Sequence, residues 1–316
     1  MKLPPGLTTD CPSSGSAPLV CHLQKSLYGL SQTSREWYAE LSQALHSRGY
    51  SHSPNNHSFF IKQSPSPIVL LAVYVDDIIL SGDDLEELSA LKSFLDSQFK
   101  IKDLSTLNYF LGIEVYYTAS GLLLHQKKFI RDLLQKYNYN IVNPVACPLD
   151  LSIKLKADMG DTLAFPEFYR SLVGKLNFLT HTRPDLSFAV QHLSQYLQKP
   201  THTHMKAVIH LLRYLKGTSD IGVFFYNDLV FSISTYCNND WAACPDTRRY
   251  VIGFCILLGG SLISWKAKKQ PVVSLSSAEA EYRSVSKVVA ELVGLLRLPS
   301  DFGVNVAVHV PVFCDN

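Results

Sequence analysis

The chain is short of net charge, of paired cysteines and of long apolar runs. Its 29 lysines and arginines nearly cancel 27 aspartates and glutamates, leaving a formal charge of +2. The electrostatic footprint expected of a nucleic-acid binder is therefore weak, and charge alone does not announce a polynucleotide partner. Seven cysteines, at positions 11, 21, 147, 237, 244, 255 and 314, are an odd number without a Cys-x-x-Cys pair. That argues against a zinc knuckle or a disulfide framework and for free thiols in a reducing compartment. No apolar run approaches the roughly 18 residues of a membrane span, and the segment after Met1 is too polar for a signal peptide, so an intracellular protein with no membrane partner is expected. With 47% apolar and 18% charged residues, the 316-residue chain is globular in composition and has room for two or three domains.

Against this plain background one stretch stands out. Tyr74-Val75-Asp76-Asp77 interrupts an apolar run, with Ile68-Val69-Leu70-Leu71-Ala72-Val73 before it and Ile78-Ile79-Leu80 after it. An ionised carboxylate beside hydrocarbon is costly unless it is paired, hydrogen-bonded or bound to a metal, and Asp-Asp is poor strand material. The pattern predicts a β-hairpin turning at the acidic pair, closed by Ser81-Gly82, that presents carboxylates to a hard divalent cation. An ordinary surface turn is the alternative.

Periodicity places the other elements. A helix is expected over 33–49 with Trp37, Leu41 and Leu45 on one stripe, and another over 85–99 with Leu88, Leu91, Leu95 and Phe99 behind Asp83-Asp84. A hairpin follows at 109–124, a helix at 129–137, a hinge near 144–148, and helices to a glycine cap at Gly217. The period then changes to two, predicting strands near 221–226, 229–237, 250–258 and 261–266, a helix over 277–298 and a strand ending at Asp315. Separate units are expected before and after Gly217. Ser276-x-x-Glu279 reads as a capping box. On that helix Glu281 lies about 50° from the centre of a stripe of Tyr282, Val285, Val289, Leu292 and Leu296, and Glu279 about 110° away, so Glu281 is the better metal ligand, with helix-dipole decoration as the alternative. Thr201-His202-Thr203-His204 reads as a polar helix entry rather than a metal site. Lys266, Lys268 and Lys269 beside Trp265 suit a phosphate backbone or a solvated strand end equally.

These motifs, in this order, resemble the reverse transcriptases of copia-type retrotransposons, whose polymerase signature is Tyr-Val-Asp-Asp. Met1-Lys2-Leu3-Pro4-Pro5-Gly6, Lys25-Ser26-Leu27-Tyr28-Gly29-Leu30 with Arg35-Glu36-Trp37-Tyr38, Thr182-Arg183-Pro184-Asp185, and Leu212-Arg213-Tyr214-Leu215-Lys216-Gly217-Thr218 carry the resemblance. So do Ser276-Ser277-Ala278-Glu279-Ala280-Glu281-Tyr282 and Cys314-Asp315-Asn316. It implies an α+β chain: partial fingers and palm with a primer grip over 1–125, a mainly helical thumb and connection over 126–217, and a partial ribonuclease H-like α/β domain over 221–316. It implies Asp76 and Asp77 as polymerase carboxylates on Mg²⁺ or Mn²⁺, and Tyr28, Gly29, Gln32 and Arg35 as the nucleotide pocket. Phe110, Leu111 and Gly112 would be the primer grip, and Glu281 and Asp315 ribonuclease metal ligands, with Asp240 a further catalytic candidate. RNA template, DNA primer, RNA–DNA hybrid and deoxynucleoside triphosphates would be the partners, in a cytoplasmic virus-like particle or the nucleus.

Departures accompany the matches. The family segment Tyr-x-Asp-Ala-Asp-Trp-Ala reads here Tyr236-Cys237-Asn238-Asn239-Asp240-Trp241-Ala242, so a neutral amide, Asn238, stands where the first ribonuclease carboxylate belongs. Asp240 is about 6.6 Å further along the strand, too far to substitute. Ser31 replaces a usual pocket lysine. A third polymerase aspartate would precede Met1 and a last ribonuclease ligand would follow Asn316, so a fragment truncated at both ends and inactive by itself is expected, or a relic that binds hybrid weakly.

Overall fold

The computed structural model describes residues 20–22, 27, 29–30, 32–63, 68–139, 141–227, 231–304 and 309–314. Among them are seven α-helices and three four-stranded sheets, a mixed α/β architecture. The chain divides into two compact units, Met1–Lys102 and Asp103–Asn316.

The first unit contains α1 (Thr33–Ser47), β1 (Ser51–His52), β2 (Phe59–Gln63), β3 (Ile68–Tyr74), β4 (Asp77–Gly82) and α2 (Leu85–Phe99). Its strands pair antiparallel in the order β1-β2-β3-β4. The pleat sends Val69, Leu71 and Val73 to one face, where they meet Leu41 and Leu45 of α1 and Leu91 of α2. The second helix has the bounds its periodicity predicts. It starts where the Asp84 carboxylate accepts the Glu87 N–H at 2.9 Å, and stops at Lys100, whose φ of 55° is left-handed.

One polar cluster ties this unit together. Glu87, at the head of α2, accepts hydrogen bonds from the Arg48 guanidinium at 3.2 Å, the Lys62 ammonium at 3.1 Å and the Tyr50 hydroxyl at 3.0 Å. Burial by itself would raise the Glu87 pKa, but the bonds from Lys62, Tyr50 and Arg48 outweigh it and hold the carboxyl below its ordinary value. The same burial and the same carboxylate push the Tyr50 phenol up.

The second unit runs β5 (Tyr109–Phe110), β6 (Ile113–Thr118), β7 (Gly121–His125), α3 (Lys127–Lys136), α4 (Pro166–Leu179), a 3-10 turn (Pro184–Leu186), α5 (Ser187–Ser194) and α6 (His202–Gly217). It continues with β8 (Val223–Tyr226), β9 (Ile233–Asp240), β10 (Val251–Leu258), β11 (Ser261–Lys269), α7 (Ser277–Asp301) and β12 (Val312–Cys314). The break expected after Gly217 is absent. Val223, Phe224 and Phe225 pair with Leu124, Leu123 and Leu122, so β8 completes the sheet β5-β6-β7-β8. Backbone groups of β7 need a partner on each side, and the chain supplies the second one only after four α-helices. Trp265 Nε1 donates to the Thr180 carbonyl at 2.9 Å and Lys269 Nζ to Gln195 Oε1 at 2.8 Å, so the following sheet is also joined to the helical layer.

Helices α3 to α6 share one core, in which Leu172, Leu176, Leu193, Val208, Leu211 and Leu215 are almost completely buried. Arg183 is buried within this layer, with its side chain 0% exposed. Its Nε and Nη2 donate to the two Asp185 oxygens at 2.9 and 2.7 Å, while Nη1 and Nη2 reach the Thr218 carbonyl and hydroxyl, both at 2.8 Å. Tyr214 donates its hydroxyl to Asp185 at 2.9 Å. The two short motifs around Arg183 and Thr218 therefore form one lock between the 3-10 turn and the end of α6. The polar entry at Thr201 is a helix cap as expected: its hydroxyl accepts the His204 N–H, and the His204 ring stacks on Tyr196.

The last sheet has the order β11-β10-β9-β12, antiparallel except for β12, which lies parallel to β9. Helix α7 covers the face formed by Ile233, Cys237 and Ile256, using Val288 and Leu292. Its buried stripe is Ala280, Ser284, Val288 and Leu292, so the expected stripe holds in part: Leu292 is buried and Val285 and Leu296 pack on the same core, but Tyr282 and Val289 are exposed. Small residues let the helix approach the sheet closely, and hydrophobicity counting passes over them.

Candidate functional site

The acidic hairpin turns as expected, one residue earlier than its two carboxylates. Tyr74 and Asp77 are the last paired residues, leaving Val75-Asp76 as a two-residue turn. Val75 has a φ of 52°, a left-handed conformation that a β-branched residue adopts only under constraint. Holding it costs on the order of 1–3 kcal/mol, and such strain gathers at sites where side-chain direction matters. Asp76 and Asp77 are both exposed. In the pleat Asp77 shares its face with Tyr74, Ala72 and Ile79, the face turned away from the helices. Strand β4, which carries Asp77, is the outer strand of the sheet.

Exposed carboxylates at a turn and on an outer strand fit a hard cation, which takes oxygen ligands and keeps several waters. Their two negative charges match one divalent ion. Among the described residues no three histidine, cysteine, aspartate or glutamate side chains gather into a metal site.

Of the pocket residues, Tyr28 and Ser31 lie outside the described residues. Gly29 has a φ of 91°, the Gln32 carbonyl accepts the N–H groups of Arg35 and Glu36 to start α1, and Arg35 stands exposed on the first turn. The segment Phe110-Leu111-Gly112 is the tight turn between β5 and β6, with φ of 49° at Leu111 and 84° at Gly112. A Cβ at Gly112 would lie 2.7 Å from Cζ of Phe178, so this turn sits against α4 and only glycine fits both demands.

In the last sheet, strand parity decides what meets what. Ile233, Thr235 and Cys237 point toward α7, so Asn239 does too, opposite Ile252, which packs with Ala280. Asn238 and Asp240 therefore share the other face, where Asn238 stands in a cleft with Tyr236, Gly253, Cys255, Trp265 and Phe313. Asn238 Oδ1 accepts the Asn239 N–H at 2.6 Å, and the buried Asn239 Oδ1 has no hydrogen-bond partner among the described residues. Glu281 is half-buried beside the α7 stripe. It thus belongs to the face opposite Asn238. Asp315 lies outside the described residues. The residues described here do not fit a paired-ion centre. Glu279 caps α7 as expected in part: Ser276 Oγ accepts its N–H at 3.1 Å, but its carboxylate takes the Leu275 N–H, and it pairs with Arg283 at 2.8 Å. Of the three lysines beside Trp265, Lys269 is engaged by Gln195 and by Cys244, whereas Lys266 and Lys268 are exposed.

Sequence reasoning missed two groupings. Cys237 and Cys314 face each other across β9 and β12, with Sγ atoms 2.9 Å apart; burial and the Cys314 sulfur push the Cys237 thiol up to about 12. Asn239 was passed over, although counting by twos from Ile233 would have placed it toward the helix.

Comparison with known proteins supplies an independent line. Residues 1–151 match the reverse transcriptase (RNA-dependent DNA polymerase) family. The whole chain is 41% identical over 318 residues to the retrovirus-related Pol polyprotein from transposon RE2 of Arabidopsis thaliana. It is 33% identical over 316 residues, 96% of its length, to the corresponding polyprotein from transposon TNT 1-94 of Nicotiana tabacum. The chain spans about a fifth of the length of these polyproteins, 21% and 23%. An uncharacterized mitochondrial protein of Arabidopsis thaliana is 41% identical over 224 residues, which is 70% of this chain and 92% of that protein. No described helix is long and apolar enough to cross a membrane.

Proposed function

The chain belongs to the Pol polyproteins of copia-type retrotransposons, in their reverse transcriptase region, and from that membership we propose that the β3–β4 hairpin is the metal-holding element of an RNA-directed DNA polymerase. The observation that carries this reading is the strained Val75-Asp76 turn, which sets two exposed carboxylates at the rim of an otherwise apolar sheet. Asp76 and Asp77 would hold Mg²⁺ or Mn²⁺, which when bound supplies the positive charge that phosphoryl transfer requires. Tyr74 offers an exposed ring on the same face as Asp77, suited to a base or sugar of a primer. RNA template, DNA primer and deoxynucleoside triphosphates are the corresponding partners. The first unit takes the part of fingers and palm, the β5–β6 turn that of the primer grip, and α3 to α6 that of thumb and connection.

Residues 221–316 are proposed as the ribonuclease H-like half. Three antiparallel strands, a helix and a strand parallel to the first support that reading. Its centre is a degenerate one in this chain, because Asn238 is neutral and turned away from Glu281.

By itself the 316-residue chain is proposed to hold one divalent ion weakly and to lack catalysis, since two-ion chemistry needs more negative ligands than the hairpin offers. Mn²⁺ titrated into the purified chain will broaden the amide resonances around Asp76 and Asp77, and Asp76→Asn will abolish that broadening. Primer extension on an RNA template will not differ between the two proteins. Extension that disappears in Asp76→Asn would overturn the claim of silence, and unchanged broadening in the variant would overturn the metal assignment. In the second half, Asn238→Asp will not produce Mg²⁺-dependent cleavage of an RNA–DNA hybrid, since the new carboxylate would face the α5 side; cleavage by that single variant would refute the placement.

A further inference from the structure

The parallel pair β9 and β12 brings together two sulfurs that the proposed chemistry does not use. Cys314 is the registered partner of Cys237, and their Sγ atoms lie 2.9 Å apart. Neighbouring strands are separated by about 4.8 Å, within the Cα–Cα range of roughly 4.4–6.8 Å that a disulfide spans. A bond of about 2.05 Å would draw the sulfurs together by only about 0.9 Å. Their environments differ in a useful way: Cys314 is exposed, whereas Cys237 is 4% exposed under α7. One sulfur can meet an oxidant in solution. The other can meet only its neighbour.

We propose that Cys237 and Cys314 are a redox modification site, a dithiol that low-molecular-weight disulfides such as oxidised glutathione convert to a strand-to-strand cystine. The exposed Cys314 sulfur attacks the glutathione disulfide, forming a mixed disulfide and releasing one reduced glutathione. The Cys237 sulfur then attacks the Cys314 sulfur, forming the intramolecular S–S bond and releasing the second. Two protein thiols are oxidised, one glutathione disulfide is reduced to two thiols, and the two cysteine protons end on the two glutathiones. The bond would close a span of 77 residues and fasten the three-residue strand β12 to β9 covalently. Of the other described cysteines, Cys147 donates its thiol to the Leu149 carbonyl at 3.2 Å. Cys244, the most deeply placed of them in a polar setting, is engaged by the Lys269 ammonium at 2.7 Å.

The test uses the full chain equilibrated in glutathione buffers of graded oxidation, then trapped by alkylation and mapped by mass spectrometry without reduction. One cross-linked peptide pair containing Cys237 and Cys314 is expected, with five of the seven thiols still alkylated. The oxidised protein should melt on the order of 5–10 °C higher than the reduced one, and Cys314→Ser should lose both the cross-link and the shift. Alkylation of both residues in fully oxidising buffer, or pairing of either with a different cysteine or stably with glutathione, would overturn the proposal. Because the mapping is done on the unaltered chain, it decides the matter even if the serine variant folds poorly.

Discussion

Arg183→Met will destabilise the second unit by about 3 kcal/mol, the lower end of the cost of breaking a buried ion pair because Asp185 keeps 29% of its side chain exposed. The loss comes from what remains behind. Methionine fills the volume but, among the described residues, leaves the Asp185 carboxylate with the Tyr214 hydroxyl alone and the Thr218 carbonyl with the Ile221 N–H alone. Lysine will rescue little, since a single ammonium cannot serve two carboxylate oxygens and Thr218 together. In urea the unfolding midpoint of peptides from α4 to α6, followed by hydrogen exchange, should fall by about 1 M. Combining Arg183→Met with Asp185→Leu should recover part of that, because the orphaned charge is removed as well. A midpoint within about 0.2 M of the parent for Arg183→Met would show that the lock contributes little.

Glu87→Gln is the corresponding change in the first unit, with an expected loss of about 2 kcal/mol at neutral pH, the scale of charge-assisted hydrogen bonds lost to partly buried Arg48 and more exposed Lys62. Its pH dependence separates charge from packing. The fold depresses the Glu87 pKa below 4.5, so its contribution is fully present above that value and is lost as pH falls through the lower, folded value. The stability gap between parent and Glu87→Gln should therefore be constant from pH 7 to about 5 and shrink below pH 4.5. A gap that stayed constant down to pH 3 would assign the effect to shape rather than charge.

What the sequence revealed was local. Helix α2 could be bounded to the residue because Leu88, Leu91 and Leu95 repeat at helical spacing behind an aspartate cap, and the acidic hairpin could be placed to within one residue because strands flank it on both sides. The join between β7 and β8 could not be read that way, since it pairs segments about 100 residues apart and leaves no mark on periodicity. On α7 the periodicity finds Val285, Leu292 and Leu296 but not Ala280 and Ser284, which are small and weakly apolar and yet buried, while Tyr282 points to solvent. At the candidate sites residue types were legible and directions were not. Asn238 stands out as a departure, and counting by twos orders the two amides on opposite faces, but which face the helix covers is shown by the packing of Ile252, the partner of Asn239, against Ala280. Likewise the Arg183 and Thr218 motifs were each conspicuous, and nothing in either named the other.

The pairing of β7 with β8 also orders events in time. A ribosome adding roughly 5–20 residues per second delivers Gly121–His125 some 5–20 s before Val223–Tyr226. Throughout that interval the nascent hairpin carries an unsatisfied outer edge with three consecutive leucines, the kind of template to which other extended chains add themselves. Translation halted anywhere in the helical stretch would fix the chain in that state, and holdase chaperones should be found on such stalled products and not on those released after Tyr226.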